Sequence, residues 1–266
     1  MSIISKKNGT LEYLVAEGIS APHAFTTRLG GVSTGMFASM NIGLHFGDTA
    51  ENVAQNLQIL ADELGFDPKK LICTRQTHSD IVRAVTAEDY LGIDHHDYPE
   101  CDALVTATPG VALKVFTADC TPILFHDPVT GAVGAAHAGW RGTAADIAGK
   151  TVRAMEENFG ANPENIRAAI GPNIGWCCFE TDADVPEAMV NALGDVAKKY
   201  VRAENEKYYV NLKGINAEFL KRAGVTRIDI SDDCTKCQCD RFWSHRITGK
   251  NRGSQGAIIL CKEVSP

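Results

Sequence analysis

The segment between residues 100 and 137 constrains the fold more than any other part of the chain. Several short apolar stretches follow one another there with only turn-length breaks, at Thr108-Pro109-Gly110 and at Asp127-Pro128. Breaks this short can join antiparallel strands, whereas a parallel crossover needs about a dozen residues or more. The segment therefore predicts hairpins and a mixed sheet rather than a doubly wound parallel sheet.

Helices and strands are interspersed along the rest of the chain. Apolar residues at helical spacing, together with capping signals, predict helices at Thr49–Leu64, at about Thr143–Phe159 and at about Leu212–Ala223. Strands are predicted at Leu71–Thr74, Ile81–Thr86, Ala103–Thr106, Val111–Phe116, Ile123–His126, Ala132–Ala136, Ile166–Ile170, Tyr208–Val210, Arg227–Ile230 and Ala257–Leu260. The fold class is therefore α/β or α+β. Because the sequence contains no repeat and no long linker, residues 1–266 are expected to form one domain.

The composition limits the class of partner. With 44% hydrophobic and 22% charged residues, the chain is typical of globular proteins. The formal net charge is −7 and the longest basic runs found are pairs such as Lys69-Lys70, which favours a small substrate over nucleic acid. No apolar run reaches the roughly 18 residues that a membrane span needs, and the first residues lack the apolar core of a secretory signal. A cytoplasmic location without membrane attachment is expected.

Three reactive side chains stand at or between predicted strands. Cys120 lies between an acid, Asp119, and a turn-forming Thr-Pro pair, while His137 follows an apolar strand and precedes a glycine-flanked Trp-Arg pair. One hairpin could bring Cys120 and His137 together. His78 lies in the polar break between two further strands.

Two imidazoles and one thiolate would suit zinc, and three protein ligands would leave the fourth tetrahedral position for water or substrate. The long and irregular spacing leaves three interpretations open. These are a catalytic zinc site of His78, Cys120 and His137, a nucleophile–base dyad of Cys120 and His137, and a buried cysteine beside hydrogen-bonded histidines. On spacing alone the last is favoured.

A glycine-rich segment after His137 could bind an anion. Ala138-Gly-Trp-Arg-Gly142 leads into the helix predicted at Thr143, where free amides and the helix dipole attract negative charge. Arg141 would add a forked donor suited to phosphate. The alternative is that glycine only permits a sharp turn. The loop from Thr27 to Gly35 matches neither a Walker loop nor a dinucleotide-binding motif.

The nine cysteines form no complete metal motif in the sequence. Cys234, Cys237 and Cys239 contain one C-x-x-C pair, but the only candidates for a second pair, Cys261 and the adjacent Cys177-Cys178, are distant in sequence. Reduced thiols or a redox-sensitive pair are therefore expected here rather than a second metal site.

Several motifs in fixed order carry a resemblance to a known family. They are Thr26-Thr-Arg-Leu-Gly-Gly-Val-Ser-Thr-Gly35, Met40-Asn-Ile-Gly43, His45-Phe-Gly-Asp48, Gln76-Thr-His78, Asp102-Ala-Leu-Val105, Ala118-Asp-Cys120, His137-Ala-Gly-Trp-Arg-Gly142, Ile170-Gly-Pro172, Cys177-Cys-Phe-Glu180 and Phe242-Trp-Ser-His-Arg246. Over nearly its whole length the chain resembles the YfiH-like family, formerly labelled multicopper polyphenol oxidases or laccase-domain proteins and now regarded as purine nucleoside phosphorylases. The segment Ser244-His245-Arg246 departs from the Ser-Tyr-Arg of many members, which puts any hydroxyl role at position 245 in doubt.

The resemblance implies a mixed α/β sandwich layered α/β/β/α, like the catalytic domain of cytotoxic necrotizing factor. It also implies Zn²⁺, rather than copper, bound by His78, Cys120 and His137. The implied activities are phosphorolysis of adenosine, inosine and S-methyl-5'-thioadenosine, and deamination of adenosine to inosine. The implied partners are purine nucleosides and phosphate.

Other residues receive roles as hypotheses within this interpretation. Arg141, with Arg28 as a second candidate, would hold phosphate, and Asn41 and Gln76 complete the predicted substrate- and phosphate-binding set. The carboxylates of Asp80 and Asp119 are candidates for proton transfer or for orienting a zinc-bound histidine.

Three alternative functions remain. A polyphenol oxidase, or laccase, needs repeated His-x-His pairs, and the chain has eight histidines and no such pair, so this is not expected to be the main function. The sequence also lacks the nucleobase-deaminase signature, so any deamination would use a different zinc scaffold. A cysteine hydrolase or amidase, including one that edits cell-wall precursors, would use Cys120 as nucleophile and His137 as base. A redox sensor or metal-dependent scaffold would use Cys234, Cys237 and Cys239.

Overall fold

The computed structural model describes residues 2–263. The strands are β1 (Ile3–Asn8), β2 (Leu11–Ala16), β3 (His23–Thr26), β4 (Leu71–Ile72), β5 (Val82–Ala84), β6 (Ala103–Thr106), β7 (Ala112–Thr117), β8 (Thr121–His126), β9 (Val133–Ala138), β10 (Arg167–Ile170), β11 (Glu180–Thr181), β12 (Val201–Glu204), β13 (Lys207–Val210), β14 (Arg227–Ile230) and β15 (Gln255–Leu260). The helices are α1 (Ala50–Leu64), α2 (Trp140–Ala144), α3 (Ile147–Phe159), α4 (Asp184–Leu193), α5 (Leu212–Arg222) and α6 (His245–Thr248).

Two six-stranded sheets form the centre of the fold. The first has the order β1-β2-β3-β15-β7-β4 and the second the order β14-β10-β8-β9-β6-β5. Most neighbouring strands are antiparallel, but β4 with β7, β10 with β14 and β5 with β6 are parallel. A small third sheet has the order β11-β13-β12. The predicted mixed sheet is confirmed.

The two large sheets pack against each other and carry helices on their outer faces. The alternation of side chains along β8 shows this arrangement: Leu124 belongs to the core between the sheets, whereas Ile123 and Phe125 belong to the core beneath α3 and α5. Leu57 and Leu60 of α1 belong to the core of the first sheet. Burying an aliphatic or aromatic side chain of this kind contributes about 1.5–3 kcal/mol. The mixed α/β architecture with helices outside two sheets agrees with the predicted class.

Where local signals are strong, the predicted elements agree with the structure. The bounds of β6 and β14 match the prediction, and the other predicted strands agree to within two residues at each end. Helix α1 begins after Thr49, whose side chain caps the amide of Asn52, and ends at Gly65 with a φ of 77°. Five strands (β1, β2, β3, β11 and β12) and two helices (α4 and α6) were not predicted. Strand β1 is largely exposed and lacks a clear apolar alternation.

The second predicted helix is wrong in one respect. The segment from Thr143 to Phe159 is not continuous, since α2 ends at Ala144 and α3 begins at Ile147. Asp146 has a left-handed φ of 59° and caps α3 by accepting a hydrogen bond from the amide of Gly149. Asp146 therefore starts a new helix instead of completing a capping box with Thr143. Among residues 2–263 no helix is long and apolar enough to cross a membrane.

Candidate metal centre and pocket

The β8–β9 hairpin brings Cys120 and His137 together, as predicted. Thr121 pairs with Ala138 and Pro122 pairs with His137 in the antiparallel register. Cys120 directly precedes β8, so its thiol lies at the same end of the hairpin as the imidazole of His137. Two residues that are distant in sequence therefore meet through one short antiparallel connection.

The loop that carries His78 is fixed by one buried carboxylate. Asp102 accepts hydrogen bonds from the backbone amides of Thr77, His78 and Ser79 at 3.1, 3.1 and 2.7 Å, and from the Ser79 hydroxyl at 2.6 Å. His78 has a left-handed φ of 60°, a conformation that costs free energy in a residue other than glycine. The bonds to Asp102 stabilise this loop conformation.

Asp102 also orients His137. One of its carboxylate oxygens lies 2.7 Å from His137 Nδ1, which leaves Nε2 as the ring nitrogen available to a ligand. Burial alone would raise the pKa of Asp102, but its hydrogen bonds and its proximity to His137 lower that pKa. A carboxylate behind a histidine is the usual support of a metal-binding imidazole. Sequence reasoning missed this role, although Asp102 begins one of the quoted motifs and directly precedes a strand.

The ligand atoms of His78, Cys120 and His137 are close enough to share one ion. All lie within 4.8 Å of one another, and Cys120 Sγ is 3.8 Å from His78 Nε2. The neighbouring Gly139 leaves room for them, since a Cβ there would lie 2.7 Å from His78 Cδ2 and 3.4 Å from Cys120 Sγ. Two imidazoles and a thiolate at this spacing fit a zinc ion with one open position.

Cys120 and His137 shift each other's pKa values in opposite directions. Burial raises the pKa of the Cys120 thiol, but the charge and hydrogen bond of His137, together with His78, outweigh burial and lower that pKa to about 6. Burial lowers the pKa of His137, whereas Cys120 and Asp102 raise it to about 9. Such a pair can serve either as metal ligands or as a nucleophile with its base.

The triad lines a pocket of about 520 Å³, a volume suited to a small-molecule ligand. Its wall combines aromatic and aliphatic side chains with cationic groups, and residues from both large sheets contribute. The aromatic and aliphatic lining includes Phe46, Phe116, Ile174 and Phe179, and the arginines are Arg75, Arg246 and Arg252. A flat apolar ring and an anion could both be bound here.

Arg252 is the most deeply buried arginine of this wall. It is 8% exposed, and its Nη1 donates to the backbone oxygen of Gly253 at 2.9 Å and to the Ser254 hydroxyl at 3.3 Å. These acceptors are uncharged, so the positive charge of the guanidinium remains available to a ligand. Burial lowers the pKa of Arg252 to about 10, against the opposing charges of Asp119 and Cys120. No local sequence signal marks this residue, because its surroundings come from distant segments.

A pair of uncharged imidazoles lies on the same wall. His45 Nδ1 is 2.7 Å from His95 Nε2, and burial lowers their pKa values to about 4 and about 3. Within residues 2–263, His95 Nδ1 and the nearby Thr117 Oγ1 are buried without a hydrogen-bond partner. Buried polar groups of this kind favour a ligand that can hydrogen-bond to them.

Gln76 and Asp119 line the pocket, but their polar atoms bind the protein. The Gln76 amide exchanges hydrogen bonds of 2.8 and 2.9 Å with the backbone of Phe116. Asp119, with a φ of 84°, accepts bonds from Thr235 Oγ1 and the Arg246 amide, both at 2.6 Å, and from Ser244 Oγ at 3.1 Å. Asp119 therefore anchors the segment around Ser244 instead of orienting a histidine.

Asp80 and Asn41 lie outside the lining of this pocket. Asp80 is paired with Lys150, and both side chains are more than one-third exposed. The Asn41 side chain is fully buried and bonds to Gly43, Asp48 and the amide of Ser254. In this structure both side chains form structural contacts, and the roles of Asp80 in proton transfer or histidine orientation and of Asn41 in substrate binding stay predictions.

The two arginines predicted to bind phosphate also lie outside the lining. Arg28 donates to the backbone oxygens of Cys239 and Ala38 at 2.8 and 3.1 Å and stacks on Trp243 at 3.9 Å. Arg141 is exposed, with its guanidinium 4.2 Å from the ring centre of Trp140. Arg28 therefore supports the packing of its loop, and Arg141 lies over Trp140, its neighbour on α2.

The comparisons with known proteins identify the family of this chain. Residues 22–262 match the family model described as multi-copper polyphenol oxidoreductase laccase. The chain belongs to this family. It is 39% identical over 241 residues to purine nucleoside phosphorylase YlmD of Geobacillus stearothermophilus, with 88% of this chain and 86% of the relative covered.

One further relative and one solved structure extend the comparison within the laccase/YfiH family. The chain is 35% identical to purine nucleoside phosphorylase YfiH of Escherichia coli, with 88% of this chain and 91% of the relative covered. The crystal structure of YlmD from Geobacillus stearothermophilus has a TM-score of 0.91 to this chain at 36% identity and covers 98% of this chain and all of that one. The resemblance found in the sequence motifs is confirmed at the levels of family and fold.

The expectation for the remaining cysteines needs correction. Cys234 and Cys237 do have a second thiol pair, because the fold brings Cys177 and Cys178 beside them. The four sulfur atoms lie within 4.8 Å of one another. Cys239 is not part of this group. Separation in sequence hid the pairing, which depends on contacts between two loops.

Proposed function

We propose that this chain is a zinc-dependent purine nucleoside phosphorylase that also deaminates adenosine. The substrates proposed for phosphorolysis are adenosine, inosine and S-methyl-5'-thioadenosine. The observation that carries the proposal is the convergence of His78, Cys120 and His137 in a pocket that also holds a buried arginine. The relatives, which are named purine nucleoside phosphorylases, support the same reaction class.

The donor set supports zinc as the cofactor. When bound, zinc would supply a Lewis acid that polarises an oxygen or nitrogen of the substrate or a water molecule. Asp102 would fix the tautomer of His137 and hold the His78 loop in place. Copper is a weaker candidate, because the clustered histidines of a laccase are not present as His-x-His pairs in the sequence.

We assign phosphate to Arg252, with Arg246 as its neighbour in the lining, in place of Arg141 or Arg28. In phosphorolysis a phosphate oxygen forms a bond to the ribose carbon as the bond from that carbon to the purine nitrogen breaks, and the purine leaves with the electron pair and takes up a proton. A fixed guanidinium would orient the phosphate and offset its charge. Phe116 and Phe179 offer apolar surface to the purine.

The deamination reaction would use the same pocket without phosphate. Water adds at the carbon that bears the exocyclic amine, and ammonia leaves with one of the protons of that water, which gives inosine. The neutral pair of His45 and His95 is suited to hydrogen-bond the nucleoside without adding charge. We further propose that the protein acts in the cytoplasm on small molecules, since its nine cysteines are all free thiols.

The deciding experiment is incubation of the zinc-loaded chain with adenosine, with and without phosphate, followed by separation of the bases and nucleosides. We expect adenine and ribose 1-phosphate only when phosphate is present, and inosine in both conditions. Hypoxanthine should then appear from inosine when phosphate is present. The absence of all three purine products would reject the proposal.

A second function is favoured by one observation. Cys120, His137 and Asp102 are arranged as a nucleophile, a base and an orienting carboxylate, and the pKa of Cys120 is lowered to about 6. A cysteine hydrolase or amidase, including one acting on cell-wall precursors, would use this arrangement without metal. Activity in metal-free protein separates the two functions.

A further inference from the structure

Two loops bring four thiols together away from the triad. Cys177 Sγ and Cys178 Sγ lie 3.6 and 3.4 Å from Cys237 Sγ, and all four sulfurs, including that of Cys234, lie within 4.8 Å of one another. A tetrahedral zinc ion with Zn–S bonds of about 2.3 Å separates its sulfur ligands by about 3.8 Å. A disulfide requires about 2.05 Å between the sulfurs. The observed spacing therefore fits one ion better than a disulfide.

The backbone holds these loops in register. Asn173 forms a parallel bridge with Cys234, and the amide of Thr235 donates to the oxygen of Asn173 at 3.0 Å. The amide of Gly175 donates to Cys234 Sγ at 3.1 Å. A side chain at position 175 would crowd the thiols, since its Cβ would lie 3.2 Å from Cys177 Sγ and 3.0 Å from the Cβ of Cys234. The thiols thus meet because two turns are fixed, independently of any bond between the sulfurs.

The four sulfurs are close enough for any charges on them to interact strongly, since all lie within 4.8 Å of one another. Several thiolates this close repel one another unless a positive ion lies between them. A metal ion relieves that repulsion and keeps the thiols deprotonated.

We propose that Cys177, Cys178, Cys234 and Cys237 bind a second zinc ion. Four thiolates select a soft or borderline ion, and a complete set of four protein ligands is typical of a structural site. The proposal is independent of the proposed function, because none of the four lines the pocket of the triad.

The ion would join two segments that form part of the pocket wall. One segment carries Ile174 and Phe179 into the lining. The other carries Thr235, whose hydroxyl donates to Asp119 at 2.6 Å. By connecting the two turns, the second zinc would stabilise this wall without taking part in the reaction.

The test is the zinc content of the full chain, purified with reductant and measured by mass spectrometry of the metal. We expect two zinc ions per wild-type chain. One should remain in the Cys120→Ala/His137→Ala variant, and one in the Cys234→Ser/Cys237→Ser variant. Cys239→Ser is the matched control, because it removes a thiol two residues from Cys237 that is outside the group, and it should keep two.

Cobalt substitution identifies the ligands of the remaining ion. In the Cys120→Ala/His137→Ala chain, cobalt should show the sulfur-to-metal charge transfer and the intense visible bands of a tetrahedral four-thiolate site. This measurement does not depend on the folding of the double serine variant. A Cys120→Ala/His137→Ala chain that binds no metal would overturn the proposal, as would an intact mass that reveals a disulfide within the group. A wild-type chain that binds zinc at the four thiols but not at the triad would instead count against the proposed function.

Discussion

At the scale of single residues, Asp102 connects the parts of the candidate metal centre. Its carboxylate bonds to the His78 loop and to His137, so Asp102→Asn replaces one acceptor oxygen by a donor that cannot bond to those amides. We expect a 10–100-fold loss of zinc affinity, which is usual for a support of this kind. Zinc titration against a competing chelator measures it.

The matched control is Asp80→Asn. Asp80 is paired with Lys150 at the surface, and exposed pairs of this kind contribute about 0–1 kcal/mol. Zinc affinity should be nearly unchanged in that variant. If the two substitutions weakened zinc binding equally, the orienting role would not be specific to Asp102.

A second prediction concerns phosphate. Arg252→Gln should raise the phosphate concentration needed for half-maximal phosphorolysis and lower phosphorolysis about 10–100-fold, because a hydrogen bond to a charged group contributes about 1.5–3 kcal/mol. Deamination should fall much less, because it needs no phosphate. Initial rates over a range of phosphate concentrations measure both effects.

Arg141→Gln provides the comparison for phosphate. Its exposed guanidinium stacks on Trp140, so we expect little change in either activity. A larger loss in this variant than in Arg252→Gln would assign phosphate to the loop that follows β9.

Cys120 offers a third prediction, which separates zinc chemistry from a cysteine nucleophile. A thiolate bound to zinc reacts slowly with iodoacetamide, so labelling should rise and activity should fall together as a chelator removes the metal. Re-addition of zinc to unlabelled protein should restore activity. Undiminished turnover at zero bound metal would promote the hydrolase function.

The residue scale also shows what the sequence could predict. Cys120 and His137 were singled out because they stand at predicted strand ends, and His78 because it lies in the polar break between two strands; all three lie within family motifs. Asp102 was not assigned, because the groups it bonds to are 23–35 residues away in sequence. Arg252 was not assigned, because the pocket that it lines is completed by residues of distant segments such as Phe46 and Cys120. Arg28 and Arg141 were predicted to bind phosphate because they lie in glycine-rich loops. Such a loop does not specify where the guanidinium points.

At the scale of elements, the break between α2 and α3 depends on a tertiary contact as well as on local capping residues. Both Thr143 and Asp146 are good capping residues, so the sequence alone could not decide where the helix begins. In the fold the Thr143 hydroxyl instead accepts a hydrogen bond of 2.9 Å from Asn216 on α5, which leaves Asp146 to cap α3. A contact with another helix therefore decided the boundary.

Asp146→Ala should destabilise the protein by about 1 kcal/mol for the lost cap, and somewhat more because alanine is less favourable than aspartate at a left-handed φ. In a chain of this size that corresponds to a fall of about 2–4 °C in Tm per kcal/mol. Asp146→Asn keeps a capping oxygen and tolerates the left-handed conformation, so it is the control. Thermal unfolding measures the Tm of both variants. An equal fall in Tm would show that the charge of Asp146, including its pair with Arg153, matters more than the cap.

At the scale of the whole molecule, the pocket exists only where the two sheets meet. Phe116 lies in β7 of the first sheet, whereas His137 lies in β9 of the second. Hairpin β8–β9 was predictable from its short turn, but the packing of one sheet on the other depends on the complete core. The sequence therefore indicated which strand ends carry chemistry without showing the wall opposite them.

The same packing keeps several histidines uncharged, which makes stability depend on pH. In the folded chain burial lowers the pKa values of His45 and His126 to about 4 and of His95 to about 3, whereas an unfolded histidine titrates near 6.5. Between about pH 6.5 and pH 4 these histidines bind more protons in the unfolded chain than in the folded chain, so their contribution to stability falls as the pH falls. Each such histidine contributes up to about 1.4 kcal/mol per pH unit in that window.

His126 allows a test outside the pocket. It is 7% exposed, and Arg167 and His23 oppose its protonation while Asp127 favours it. Replacing it in His126→Gln removes one titrating group, so the free energy of unfolding should fall less steeply between pH 6.5 and 4.5 than in the wild type, by up to about 1.4 kcal/mol per pH unit. Urea titrations at pH 7.5, 6 and 5 give the slope, and the value at pH 7.5 corrects for the lost packing. Equal slopes in the two proteins would show that His126 becomes protonated within the folded chain, and the acid sensitivity would then have to come from other groups.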